Sequence, residues 1–82
     1  MMIGKIVGTI VSTRKQESLV GSKFMEVNVI ENGKNTDKYL IAVDSVGAGI
    51  GETVLLTTGS SARLALKNTS SPVDAVIVGI VD

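Results

Sequence analysis

The chain has no cysteine, no histidine and no tryptophan, a single proline, and only two aromatic residues, Phe24 and Tyr39. Each absence removes a class of chemistry. Without cysteine there is no disulfide framework, and without cysteine or histidine the usual zinc sites fall away. The commonest general base is missing too, so a serine nucleophile would need one of the lysines or a carboxylate, and none stands at a recognisable spacing. Charge of one sign is also lacking: eight basic and eight acidic side chains are interspersed and cancel, which leaves no field large enough to recruit nucleic acid. Two aromatics offer little for base stacking, and Lys15, Lys23, Lys34 and Lys38 are the only local basic grouping. The longest apolar run, Ala75 to Val81, is far short of the roughly 20 residues a membrane helix needs. The opening MMIGKIVGTIV, broken by Lys5 and two glycines and without a basic lead-in or a small-residue cleavage site, reads as a strand. A soluble cytoplasmic protein is expected, in which the Asn68-Thr69-Ser70 glycosylation sequon carries no weight.

What is present is an 82-residue chain, 44% apolar, rich in β-branched residues and glycine. That length suits one domain, residues 1–82, whose core alone leaves little net stability, so with disulfides and metals excluded the remaining support is association with other subunits. No helical period is sustained, and the pattern predicts strands over 2–12, 23–31, 39–43, 53–57 and 74–81. Asn32-Gly33, within a turn at 31–38, is the strongest hairpin signal. The segment 62–67 is long enough for one or two helical turns, with Ser60 or Ser61 as its N-cap. In the last strand Ala75, Ile77, Gly79 and Val81 alternate with Val76, Val78 and Ile80, so both faces need cover, and cover of one of them by a second subunit is expected. The expected architecture is all-β, a small five-stranded OB-like barrel with a short helical turn before the last strand. An SH3-like barrel or a small sandwich fits the same strands.

The segment from Asp44 to Arg63, DSVGAGIGETVLLTTGSSAR, packs two tight turns around one short strand. A dinucleotide loop would place glycine three residues after Gly49, where Glu52 stands and would repel a pyrophosphate, and no lysine follows for a P-loop. Asp44 and Glu52 flank the first turn; such carboxylates bind cations or do acid–base work, and more often accept backbone hydrogen bonds or pair with arginine. Arg63 suits a carboxylate or backbone carbonyls. An OB-type barrel also raises an alternative, a binding module for single-stranded nucleic acid or a small ligand.

Taken in order, MIGKIVGTIVSTRK with LVGSK, then DSVGAGIGE with VL and GSSAR, then PVDAVIVGIVD resemble the blocks of the EutN/CcmL family of bacterial microcompartment and carboxysome vertex proteins, over essentially the full length. Phe24-Met25 departs from the paired leucines common there, and Val76 from a second alanine after Ala75. The resemblance implies an OB-like barrel without catalytic residues or cofactor, assembled as a homopentamer at the corners of a polyhedral shell and flanked by hexameric shell proteins, with no nucleic acid or membrane as partner. It marks Asp44, Gly47, Gly49, Gly51 and Glu52, and Gly59, Ser60, Ser61 and Arg63, as candidate interface residues. We expect the glycines to let neighbouring backbones approach, and Arg63 to pair with Asp44 or Glu52 within or across subunits. Stabilising the monomer's own turns is the competing role for the same residues.

Overall fold

The computed structural model describes residues 1–11, 15–67 and 72–82. Five strands, β1 (Met2–Ile10), β2 (Phe24–Glu31), β3 (Lys34–Asp44), β4 (Thr53–Thr58) and β5 (Ala75–Ile80), close into a barrel in the order β1-β2-β3-β5-β4. All neighbours are antiparallel except β3 and β5, which run parallel through Val43↔Val76 and Asp44↔Ile77. Closure leaves no open sheet edge, the usual liability of a small β protein. One short helix, α1 (Ser60–Ala65), precedes β5, as expected, and a single 3-10 turn at Glu17–Leu19 lies in the β1–β2 connection. The sequon at 68–70 lies outside the described residues.

The β2–β3 hairpin is tighter than the sequence pattern suggests. Asn32 and Gly33 both hold positive φ, 53° and 74°, the backbone of a two-residue type I′ turn. Pairing therefore resumes at once with Glu31↔Lys34, and β3 begins at Lys34 rather than near Tyr39. The polar run that reads as a long turn is instead a bulged strand: Asn28 faces Tyr39 and Ile30 faces Asn35, so Thr36, Asp37 and Lys38 together oppose Val29. The buried Asn28 amide pins this irregularity by donating to the Thr36 and Lys38 carbonyls at 2.8 and 3.2 Å, while the Thr36 hydroxyl donates to the Val29 carbonyl at 2.7 Å.

Inside the barrel, Ile6, Met25, Val27, Ala42, Val54, Leu56 and Ile77 form a core that is closed to solvent. Met25, Val27 and Val29 share one face of β2, as strict alternation requires. A β-bulge between Ile6 and Gly8 breaks the alternation in β1. Past it, Ile10 pairs with Phe24 instead of continuing the inward row of Ile6, and its side chain is exposed. A second cluster lies outside the barrel, where Val43 and Val76 are covered by Ala62 of α1 and by Val73, with Leu19, Phe24 and Leu66 around them. The outer face of β5 is thus covered at Val76 by the chain's own helix, while Ile80 further along the strand is 37% exposed.

The helix itself starts earlier than predicted. Its N-cap is Gly59, at φ 67° and ψ −144°, and no side chain caps it, so neither Ser60 nor Ser61 is the cap. With Ala62 at 0% exposure, burial of one small apolar residue over β5 sets the helix position, and side-chain capping has no part in it.

Candidate assembly site

The 45–52 segment bridges the end of β3 and the start of β4 and closes one end of the barrel. Asp44 organises it. One carboxylate oxygen accepts the N–H groups of Val46 and Gly47 at 3.0 and 3.1 Å, and the other accepts that of Ala48 at 2.9 Å. The Asp44 side chain is 2% exposed, and Lys23 stands 4.0 Å from it with its own side chain 57% exposed. Three backbone donors on one carboxylate make an Asx-type turn, which folds the chain back and drives Ala48 into the core at 1% exposure. Glu52 does the same for the second half: its side chain accepts the Gly49 N–H at 2.7 Å. The loop is then laced to β1, with the Gly51 N–H donating to the Ile6 carbonyl at 2.8 Å and the Ile6 N–H donating to the Glu52 carbonyl at 3.0 Å. Ser45 adds a hydroxyl donation to the Ile77 carbonyl at 2.7 Å, which ties the loop's root to β5.

Gly47 and Gly51 are held at φ 82° and 90°, where a side chain would strain the backbone, so the fold of a single chain already demands glycine at both. Gly49 differs. Its φ lies outside that region, and a Cβ built there would meet only the Glu52 Oε1 atom, at an ordinary 3.5 Å. Among the described residues nothing requires glycine at 49.

The second group of predicted residues stands elsewhere. Gly59, Ser60, Ser61 and Arg63 follow β4 while Glu52 precedes it, so about 20 Å of strand separates them. The Arg63 guanidinium donates to the Val73 carbonyl at 3.2 Å, and the Gly59 N–H donates to the Asp74 carbonyl at 2.7 Å; both bonds hold α1 against the start of β5. Within the subunit, Arg63 pairs with neither Asp44 nor Glu52: its guanidinium is turned to the Val73 carbonyl, on the far side of β4 from Glu52, and the cation near Asp44 is Lys23. Of the four lysines grouped in the sequence, Lys23 lies near Asp44, and Lys38 contacts Glu31 at 3.4 Å. Among the described residues no group of three or more acidic, histidine or cysteine side chains is placed to hold a metal.

Sequence reasoning passed over two features. Gly4, deep in β1, leaves no room for a Cβ between Val27, Leu56 and the Asn28 carbonyl. The candidate loop also carries exposed apolar side chains, Val46 at 41% and Ile50 at 64%, beside the glycines that drew attention. A large apolar residue in the middle of a glycine-rich loop is the signal that could have marked Ile50.

The chain is matched over its whole length by known proteins. The family described as ethanolamine utilisation protein EutN/carboxysome matches residues 1–82. The chain belongs to the EutN/CcmL family. Its relatives include the carboxysome shell vertex protein CcmL of Gloeobacter violaceus, 46% identical over 83 residues that cover all of this chain and 83% of that protein. The bacterial microcompartment shell vertex protein GrpN of Rhodospirillum rubrum is 45% identical over 88 residues, covering all of this chain and 93% of the relative. The solved structure of GrpN, a pentameric microcompartment shell protein, superposes with a TM-score of 0.90 at 44% identity, over 100% of this chain and 94% of that one.

Proposed function

We propose that this EutN/CcmL chain is a non-catalytic shell subunit that closes into a ring of five and occupies the fivefold corners of a bacterial microcompartment shell in the cytoplasm, with residues 1–82 as one vertex domain. The observation that carries this reading is the whole-chain match to a solved pentameric shell protein at a TM-score of 0.90. Hexagonal tiles alone make flat layers, and pentagons at the corners close them, so the partners are further copies of this chain and the hexameric shell proteins around them. The interface candidates are Asp44, Gly47, Gly49, Gly51, Glu52, Gly59, Ser60, Ser61 and Arg63, with Asp44 and Glu52 acting by shaping the loop and Arg63 by placing α1. No cofactor, nucleic acid or membrane enters the role.

Native mass spectrometry of the purified chain tests the assembly: a species at five times the 8.5 kDa chain mass is expected, and a clean monomer at micromolar concentration overturns the reading. Shell formation from hexameric shell proteins with and without the chain tests the location, with closed shells expected only when it is present. The binding-module alternative has little to work with. Phe24 packs against the second core, which leaves Tyr39 as the one freely exposed aromatic. Salt-dependent binding of labelled single-stranded DNA at low ionic strength would favour it.

A further inference from the structure

Among the apolar groups that the chain leaves uncovered, two places stand out by their shape, one projecting and one concave. One is the tip of the 45–52 loop. Asp44 and Glu52 engage the loop's own backbone and Ser45 the Ile77 carbonyl, so the large apolar side chains the loop presents outward are Ile50, 64% exposed, and Val46, with Glu52 exposed beside them. The Gly51 bond to the Ile6 carbonyl brings the loop alongside the bulge of β1, where Val7 is 43% exposed. The anchor is pre-organised: the turn's backbone is already fixed, so docking Ile50 orders little more than one side chain.

The second place is a groove of about 150 Å³ over the second core, lined by Leu19, Phe24, Ile41, Val43 and Val73. Its lining is mostly apolar, and Ile41 at its edge is 47% exposed. It sits on β3, which is two strands from β1 around the barrel by way of β2 and three by way of β4 and β5. Two different apolar surfaces on separate flanks are what a head-to-tail ring uses, whereas a two-fold dimer would use one surface twice. The total exposed surface, 5149 Å² for an 8.5 kDa chain, exceeds the roughly 4,700 Å² expected of a compact monomer of that mass.

We infer that Ile50, flanked by Val46 and Val7, is the apolar anchor by which each copy of this chain docks on the next, and that its seat is the neighbour's groove between Leu19, Phe24, Ile41 and Val43. This rests on the ring reading above. It adds that the contact is made by side chains around the glycines, and that Asp44 and Glu52 contribute by holding the anchor rigid.

Two substitutions test it. Ile50→Arg changes a side chain that the monomer leaves exposed, so far-UV circular dichroism is expected to match the parent chain while each subunit contact weakens by roughly thirtyfold or more, and native mass spectrometry reads monomer. Should that variant fail to fold, Ile50→Ser gives the same readout with a smaller change. The seat is tested by cross-linking, which the absence of native cysteine makes clean. The double variant Ile50→Cys with Ile41→Cys, treated with a short bismaleimide, is expected to give a ladder of covalent species up to five chains, and each single variant none. A parent chain that is itself monomeric overturns the ring reading and the anchor with it. A parent pentamer whose Ile50→Arg variant is also pentameric overturns the anchor alone. A pentameric double variant that yields no ladder overturns the seat.

Discussion

Replacing Gly4 by alanine adds one methyl group at the tightest point of the barrel. A Cβ there would overlap Val27 Cγ1 and stand 3.0 Å from the Asn28 carbonyl oxygen and 3.1 Å from Leu56 Cδ1. Val27 and Leu56 are both at 0% exposure, and the third neighbour is backbone, so no single side-chain movement relieves all three contacts. Overpacking of this kind costs about 1–3 kcal/mol. Alanine regains about 0.4–1 kcal/mol by stiffening the unfolded chain, and the net loss is about 1 kcal/mol. For a domain of this size that lowers Tm by about 4–8 °C. Gly8 supplies the control on the same strand, because a Cβ there meets only Glu26 Oε1, at 3.7 Å. Gly8→Ala is expected to leave stability unchanged or raise it slightly. Urea unfolding of the parent and both variants, at one fixed protein concentration because association shifts apparent stability, compares the midpoints. Equal midpoints for Gly4→Ala and Gly8→Ala would refute the steric argument for Gly4.

Asp44→Ala removes the acceptor of three backbone N–H groups from a side chain that is 2% exposed, and a loss of about 2–3 kcal/mol is expected in urea unfolding; a loss below about 0.5 kcal/mol would mean that water replaces the carboxylate freely. Asn28→Ala leaves the Thr36 and Lys38 carbonyls without their amide donor and is expected to cost about 1–3 kcal/mol, with faster amide exchange concentrated at the β2–β3 bulge. Uniform exchange across the barrel would assign the loss to something other than the bulge. Gly49→Val is expected to reduce pentamer yield more than monomer stability, since the chain's own backbone does not demand glycine there; parental pentamer yield would end the close-approach account of that residue.

Much of this fold is readable without coordinates. Alternation in FMEVNVI separates Met25, Val27 and Val29 from their outward neighbours, and Asn32-Gly33 locates the hairpin, because period-two patterning and positive-φ turns are local properties. The helical turn after GSS is also local in origin, although its start shifts to Ser60 because a contact distant in sequence, Ala62 over Val76, sets where it begins.

Other features have no local cause. The bulge in β1 that turns Ile10 outward lies at Val7, just past Lys5, the last residue of β1 paired with both β2 and β4. Gly4 reads in the sequence as one more glycine, and only ring closure puts Val27 and Leu56 against it. For the candidate site, the sequence by itself singled out the segment as a candidate and determined that no histidine, cysteine or phosphate-binding spacing lies in it, since chemistry of that kind depends on residue type and interval. The tertiary structure decided what the segment does with its groups. Asp44 and Glu52 are taken by backbone donors brought within 3.1 Å by the fold, Arg63 is held by Val73 beyond the far end of β4, and Ile50 is left facing outward. Whether a polar group is satisfied and whether an apolar one is covered depend on neighbours distant in the chain, and those are set only when the barrel closes.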